Sequence, residues 1–162
     1  MAWLERWRRA QSNKCRDCGG LLEQTTISHV EGHSGDAVVV LRNTPVLACV
    51  ERSHPKRWAH PEFGAVLTDQ LFFTGAVPIS RARGPWLVCW KCGGRLSASN
   101  IARRRLEGPV HVGNLAPFEV ELEAPSSRCE HCGERQIFAS RDVSNDISNA
   151  LAEAFQVVSL QP

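Results

Sequence analysis

Hydrophobic and polar residues alternate most cleanly from Phe118 to Glu123. Phe118, Val120 and Leu122 fall on one side and Glu119, Glu121 and Glu123 on the other, the period of a strand with one buried and one solvated face. A second β-rich run extends from Asp36 to Cys49, Asp-Ala-Val-Val-Val-Leu-Arg-Asn-Thr-Pro-Val-Leu-Ala-Cys. Pro45 and Pro125 stand four residues before Cys49 and Cys129, and are expected to break the two strands at matching places. Helical spacing appears in three segments. Ser144 to Val157 carries an apolar stripe of Ile147, Leu151, Ala154 and Phe155, with Ser144 or Asp142 as cap and core packing as its expected role. Pro61 to Phe73 reads as a short helix with proline at an early position. Trp3 to Arg9 reads as a short amphipathic helix folded back on the first cysteine-rich segment, or as an aromatic and basic contact surface for a partner.

The cysteines change this picture most. Six of the seven form Cys-x-x-Cys pairs, Cys15/Cys18, Cys89/Cys92 and Cys129/Cys132, each followed by glycine; the seventh is Cys49. Two intervening residues place both sulfurs on one side of a tight turn, where both thiolates reach one zinc ion at about 2.3 Å. The following glycine permits the positive φ that such a turn needs. A redox Cys-x-x-Cys belongs at the start of a helix in a βαβ context, and nothing here suggests one. A disulfide framework would leave one cysteine over and need an oxidising compartment.

The knuckle occurs twice in the same setting. Cys15-Arg-Asp-Cys-Gly-Gly-Leu-Leu matches Cys89-Trp-Lys-Cys-Gly-Gly-Arg-Leu, and each leads through a polar stretch into a β-rich run that ends at a cysteine. Two related units are expected, 1–75 and 76–162, each a ribbon with a trailing helix, joined near Gly75–Pro85. The fold class expected is small α+β, two tandem zinc ribbons built on antiparallel hairpins. The order of knuckle, hairpin and closing knuckle resembles the zinc-ribbon superfamily. Over residues 15–54, Cys-x-x-Cys-Gly-Gly followed by Val-Leu-Ala-Cys is similar to the YgiT-type zinc finger, the N-terminal part of MqsA-like antitoxins; a looser match covers 89–135. The resemblance implies zinc-pinned hairpins and keeps a toxin-neutralising role open.

Cys89, Cys92, Cys129 and Cys132 supply four thiolates to a second site, whereas the first has only Cys15, Cys18 and Cys49. His54, in Cys49-x4-His54, is the leading fourth ligand, with His60 the alternative; neutral imidazole is an ordinary zinc ligand. The ions expected are two zincs, with iron the alternative at the all-cysteine site. Four protein ligands close a structural site, whereas a catalytic one keeps a position for water. Neither His-Glu-x-x-His nor the deaminase pattern occurs, so no enzyme activity and no small-molecule substrate are expected.

Charge and composition narrow the partner class. Among 162 residues, 43% are hydrophobic and 22% charged, which excludes a wholly disordered chain, and no apolar run is long enough to span a bilayer. With no secretory h-region at the start, a cytoplasmic location is expected. Net charge is only +2, yet its distribution is uneven. Residues 76–106 hold seven bases and no acid (Arg81, Arg83, Lys91, Arg95, Arg103, Arg104, Arg105), while 107–162 hold nine acids and three bases. With Trp86 and Trp90 interleaved, the basic stretch suits stacking and phosphate contacts on nucleic acid. The competing reading pairs Arg103–Arg105 with Glu119 and Glu121 of the same unit. A sequence pI near 8.2 is modest for a nucleic-acid binder. The function expected is a non-catalytic adaptor whose two zinc ions rigidify surfaces for a protein partner; the alternative is a nucleic-acid-binding regulator using Arg81–Arg105.

Overall fold

A computed structural model describes residues 14–51, 54–59 and 62–160. The expected helix over Trp3–Arg9 lies outside them, as does His60. The elements run β1 (Leu22–Ser34), β2 (Ala37–Cys49), β3 (Arg57–Trp58), α1 (Phe63–Phe73), β4 (Arg81–Arg83), β5 (Trp86–Val88), β6 (Ala102–Val110), β7 (Phe118–Arg128), β8 (Arg135–Ile137) and α2 (Arg141–Leu160). This is the expected small α+β class. Hairpin β1–β2 and hairpin β6–β7 join through their inner strands into one antiparallel sheet ordered β1-β2-β7-β6, with β3 adding to β2 and β8 to β7; β4 and β5 form a separate two-stranded ribbon.

The junction is reciprocal. Cys129 follows Cys49 by 80 residues, so Val120 is the counterpart of Val40 and Glu121 of Leu41. Val40 pairs with Glu121 and Leu41 with Val120, so each residue faces its neighbour's counterpart, as at a two-fold axis between identical subunits. The first knuckles lie 74 residues apart, and the strand registers divide the other six residues evenly. Three enter before β6, where Ala98–Asn100 make a single 3-10 turn, and three at the hairpin tip.

Both helices cross the axis. α2 buries Val143, Ile147, Ala150, Leu151 and Ala154 at helical spacing and lies mainly on β1 and β2 of the other unit. The contact is close: a Cβ on Gly32 of β1 would sit 1.8 Å from the Ala150 carbonyl oxygen. α1 buries Phe63, Leu67 and Leu71 and reaches the second hairpin. Phe63 stacks on Phe118 of β7 at 5.4 Å, and the Gln70 side-chain carbonyl accepts from the backbone N–H of His111 at 2.8 Å. Trp58, Phe63, Phe118 and Phe155 thereby link both units in one aromatic cluster. The first part of the segment expected as a linker is instead core: Val77 and Ile79 are buried, and the Ala76 carbonyl passes over Gly108 of β6 so closely that a Cβ there would lie 1.8 Å away.

Three further expectations need correction. Pro45 and Pro125 do not break their strands; each pairs within the ladder, Pro45 with Thr26 and Pro125 with Arg103. Both stand where the inner strand changes partner, between the β2–β7 pairing and the short strand β3 or β8. The carbonyl of Pro125 accepts from Phe138 on that edge, so its missing N–H falls in the gap between partners. α2 begins at Arg141, not Ser144, because the Ser140 hydroxyl accepts from the Val143 N–H at 3.3 Å and caps it earlier. Finally, Glu121 is not solvated: it is 8% exposed and bound by Arg42.

Candidate metal centres

Each knuckle is a backbone turn before it is a ligand set. The Cys15 N–H donates to the Gly20 carbonyl at 2.8 Å and the Gly19 N–H to the Cys15 carbonyl at 2.9 Å. The same pair recurs as Cys89 to Gly94 and Gly93 to Cys89, and again as Cys129 to Glu134 and Gly133 to Cys129. Gly19, Gly93 and Gly133 have φ of 71°, 75° and 77°, the left-handed conformation that their sequence position predicts. The turn also aims N–H groups at sulfur: Gly20 donates to Cys18, Gly94 to Cys92 and Lys91 to Cys89, each at 3.4 Å. β1–β2 then carries the chain out and back, delivering Cys49 beside the first knuckle, and β6–β7 delivers Cys129 beside the second.

Two four-residue clusters result. In the first, the donor atoms of Cys15, Cys18, Cys49 and His54 all lie within 4.8 Å of one another; the second groups Cys89, Cys92, Cys129 and Cys132 within the same limit. Cys15 Sγ is 3.3 Å from His54 Nδ1, and Cys18 Sγ is 3.5 Å from Cys49 Sγ. Cys89–Cys132 and Cys92–Cys129 are each 3.6 Å. A tetrahedral ion with metal–sulfur bonds of about 2.3 Å needs ligand edges of about 3.8 Å, so one ion fits each cluster. Sulfur atoms 3.5 Å or more apart are not disulfide-bonded, and all seven cysteines are free. The second-site residues and the first-site set with His54 are therefore brought together as the sequence predicts. His131 lies outside the metal cluster, its ring over Gly94.

The electrostatics favour a cation at each centre. Burial pushes the Cys89 thiol up, but N–H groups of Cys92 and Lys91 and the Gln136 amide outweigh it and bring it down to about 6. Cys132 moves the other way: the Glu134 N–H pulls it down, while burial and the neighbouring sulfurs push it up to about 12. Cys18 and Cys92 are also raised, as burial and neighbouring sulfurs overcome the N–H of Gly20 or Gly94. Four thiolates this close repel one another, and a divalent ion removes the conflict.

Gln136 carries no signal in the sequence pattern. It is fully buried, donates its amide to Cys89 Sγ at 3.2 Å and accepts the Trp90 N–H at 3.0 Å, orienting a ligand from behind. In the first unit the position paired in the same way on the short strand is Arg57, whose guanidinium is held below its ordinary pKa by burial, then by Arg16, with Cys15 opposing.

The basic stretch is divided by the fold. Arg103 pairs with Glu123 at 3.3 Å, Arg105 with Glu121 and Glu123 at 3.6 and 3.4 Å, and Lys91 with Glu134 at 3.4 Å. Arg81 and Arg83 are exposed on β4, Arg95 lies 3.2 Å over the Trp86 ring, and Arg104 is exposed; none of these four has an ion pair among the described residues. Among those residues no helix is long and apolar enough to cross a membrane. Comparison with protein-family models, curated proteins and solved structures gives no match.

Proposed function

We propose that the protein is a non-catalytic adaptor in which two structural zinc ions rigidify the ends of a shared sheet and hold a docking groove for a protein partner. The observation that carries this reading is the closed donor set: each cluster offers four protein ligands, leaving no position for a substrate or an activated water. Zinc is favoured over iron because hard-wired tetrahedral thiolate and imidazole ligation suits a d10 ion with no redox partner. The resemblance to zinc ribbons and to YgiT-type fingers supports the same ion.

The groove lies between β4–β5 and the start of α2. It has a volume of about 890 Å³ and is lined among others by Trp86, Leu87, Arg95, Leu96, Phe138 and Arg141. An exposed tryptophan over an apolar floor, rimmed by arginines without ion pairs, suits a peptide that brings an apolar anchor and carboxylates. β5 is tied to the second knuckle, since the Leu96 N–H donates to the Leu87 carbonyl and Val88 bridges Arg95, so loss of metal would disorder the groove. The nucleic-acid reading is weaker because Lys91, Arg103 and Arg105 are spent on carboxylates.

The test joins elemental analysis to partner capture. The reading requires about two zinc equivalents per chain and a protein that co-purifies with the native chain but not with Trp86→Ala. Fewer than one equivalent in a folded chain would refute the structural role. Oligonucleotide binding that weakens steeply with salt, and is lost in Arg81→Ala/Arg83→Ala, would favour the regulator instead.

A further inference from the structure

Strand alternation separates Arg104 from its neighbours. Arg103 and Arg105 project to the outer face of β6 with Glu121 and Glu123, so Arg104 projects to the opposite face with Ala102 and out of reach of those carboxylates. That inner face is buried at Leu122 and Ala124, but toward the second metal centre it opens into a pocket of about 200 Å³. Its lining is Asn100, Ala102, Arg104, Ser126, Ser127, Arg128 and Arg135. Three arginines therefore surround a small cavity whose wall contains no carboxylate. None of the three is in an ion pair among the described residues, whereas Arg42, Arg103, Arg105 and Lys91 all are.

The cavity is built rather than incidental. Arg128 precedes Cys129, and its backbone is clasped by Asn100: the Arg128 N–H donates to Asn100 Oδ1 at 3.3 Å, and Asn100 Nδ2 donates to the Arg128 carbonyl at 3.2 Å. Its Nε donates to the Gly133 carbonyl at 3.1 Å, and its guanidinium lies over Gly133, so the side chain is braced against the closing knuckle. Arg128 then has four of its five N–H donors left. Arg135 is its cross-strand partner, which places two like charges opposite each other on a short ladder. Like charges directly opposite each other destabilise a ladder, and an anion bound between them relieves it.

We infer that Arg104, Arg128 and Arg135 form a binding pocket for a single tetrahedral phosphate group. Planar guanidinium forks match phosphate oxygens in pairs, and three of them favour a dianion over a monoanionic diester. The volume of about 200 Å³ is on the scale of one such group. The dianion can be free inorganic phosphate or a phosphate monoester on an organic carrier, and both present the same oxygens to the pocket. This site is separate from the groove at Trp86 and does not depend on the adaptor reading.

The test is calorimetric titration of the metal-loaded full chain, in a chloride buffer of low ionic strength, with inorganic phosphate, O-phosphoserine and a single-stranded oligonucleotide. Phosphate or phosphoserine should bind saturably, and Arg104→Ala should weaken that binding by about tenfold or more. Arg103→Ala removes the same charge from the adjacent position on the other face and should leave binding within about twofold. Arg135→Ala should match Arg104→Ala, a second exposed site where folding is not at risk. Tighter binding of phosphoserine would identify an esterified source, and equal binding a free one. Equal losses in Arg103→Ala and Arg104→Ala, preference for the oligonucleotide, or no heat from either phosphate ligand would each overturn the assignment.

Discussion

The two metal centres are built on one backbone plan and balanced in different ways. Both use a knuckle with the same turn hydrogen bonds, a hairpin that returns a third sulfur, and a short strand that supplies a side chain behind the first cysteine. Even the second glycine of each Cys-x-x-Cys-Gly-Gly is roofed by counterparts, Glu51 over Gly20 and His131 over Gly94. The chemistry then diverges. With a divalent ion bound, four thiolates leave two formal negative charges at the second centre, and three thiolates with neutral His54 leave one at the first. Behind the more negative centre stands Gln136, neutral, buried and donating to Cys89; behind the less negative one stands Arg57, a cation. Backbone hydrogen bonds thus set where a metal can sit, and side chains one layer out decide how its charge is met.

The largest expected effect breaks this comparison at its root. Structural zinc contributes an apparent ~10–16 kcal/mol in small domains, as much as the whole stability of an ordinary one. Cys129→Ser should therefore abolish cooperative folding of both units, since β7 pairs with β2 at the centre of the shared sheet. His54→Ala should retain the fold with the first ion bound at least about 100-fold more weakly, a loss larger than that of an outer-shell contact. Circular dichroism during zinc titration separates the two outcomes. If Cys129→Ser left the first unit folded, the halves would be independent, and the joint sheet would have no energetic weight.

Next in size is the interlock of the helices. Gly32→Ala and Gly108→Ala each drive a methyl group against a backbone carbonyl, of Ala150 and Ala76 respectively, where no rotamer change relieves it. Overpacking of this kind costs about 1–3 kcal/mol or more. Gly32→Ala should lower the denaturation midpoint of the whole chain and leave two metals bound. The reciprocal design means that damage to the first hairpin is read by the helix of the second unit.

Much of this was open to reading in the chain itself. The Cys-x-x-Cys-Gly turns, the β-rich runs that return Cys49 and Cys129, and both described helices follow from spacing and period, because each depends on neighbours within a few residues. What escaped depends on partners far away in sequence. Nothing local says that β2 seeks β7, or that α2 leaves its own hairpin for the other one. The prolines misled for the same reason: a missing N–H matters only against a partner, and theirs fall where partners change. Gln136 sits in a short strand with no period to mark it. Arg104 was legible in principle, since period two already divides it from Arg103 and Arg105, but only the paired strand shows which face holds the carboxylates.

A smaller effect tests the outer shell directly. Gln136→Leu removes the donor to Cys89 and leaves the Trp90 N–H without its acceptor, so metal affinity at the second centre should fall by about 10–100-fold. Arg57→Leu should change the first centre less, because that centre carries one formal negative charge with its ion bound and the second carries two. Competition with a chromophoric chelator measures both, and a larger loss in Arg57→Leu would reverse the ranking of the two shells.

The smallest expected effect lies where the two units meet, on the face away from the helices. Glu121, nearly buried, accepts from Arg42 Nε at 2.6 Å and from Arg42 Nη2 at 3.4 Å, joining β7 to β2 across the pseudo-axis. The hydrogen bond from Arg42 is the chief reason that the Glu121 carboxyl is held below its ordinary value, although burial opposes it. A carboxyl depressed in the folded state stabilises the fold at every pH above its unfolded value, and that contribution fades as pH falls through the folded one. Glu121→Gln should thus cost about 0.5–1 kcal/mol near neutrality, since Arg42 is part-exposed, and the difference from the native chain should shrink as the solution is acidified. Metal loss from the thiolates also begins on acidification, so the comparison belongs at matched metal occupancy, with both proteins saturated in zinc. Arg42→Met, which leaves the nearly buried carboxylate with only Arg105 at 3.6 Å, should be the more harmful of the two at neutral pH and should recover toward the native value in acid, when Glu121 takes up a proton. Recovery in acid is the signature of a buried carboxylate that has lost its main donor, and a gap that stays constant with pH would mean that Arg42 acts by packing alone.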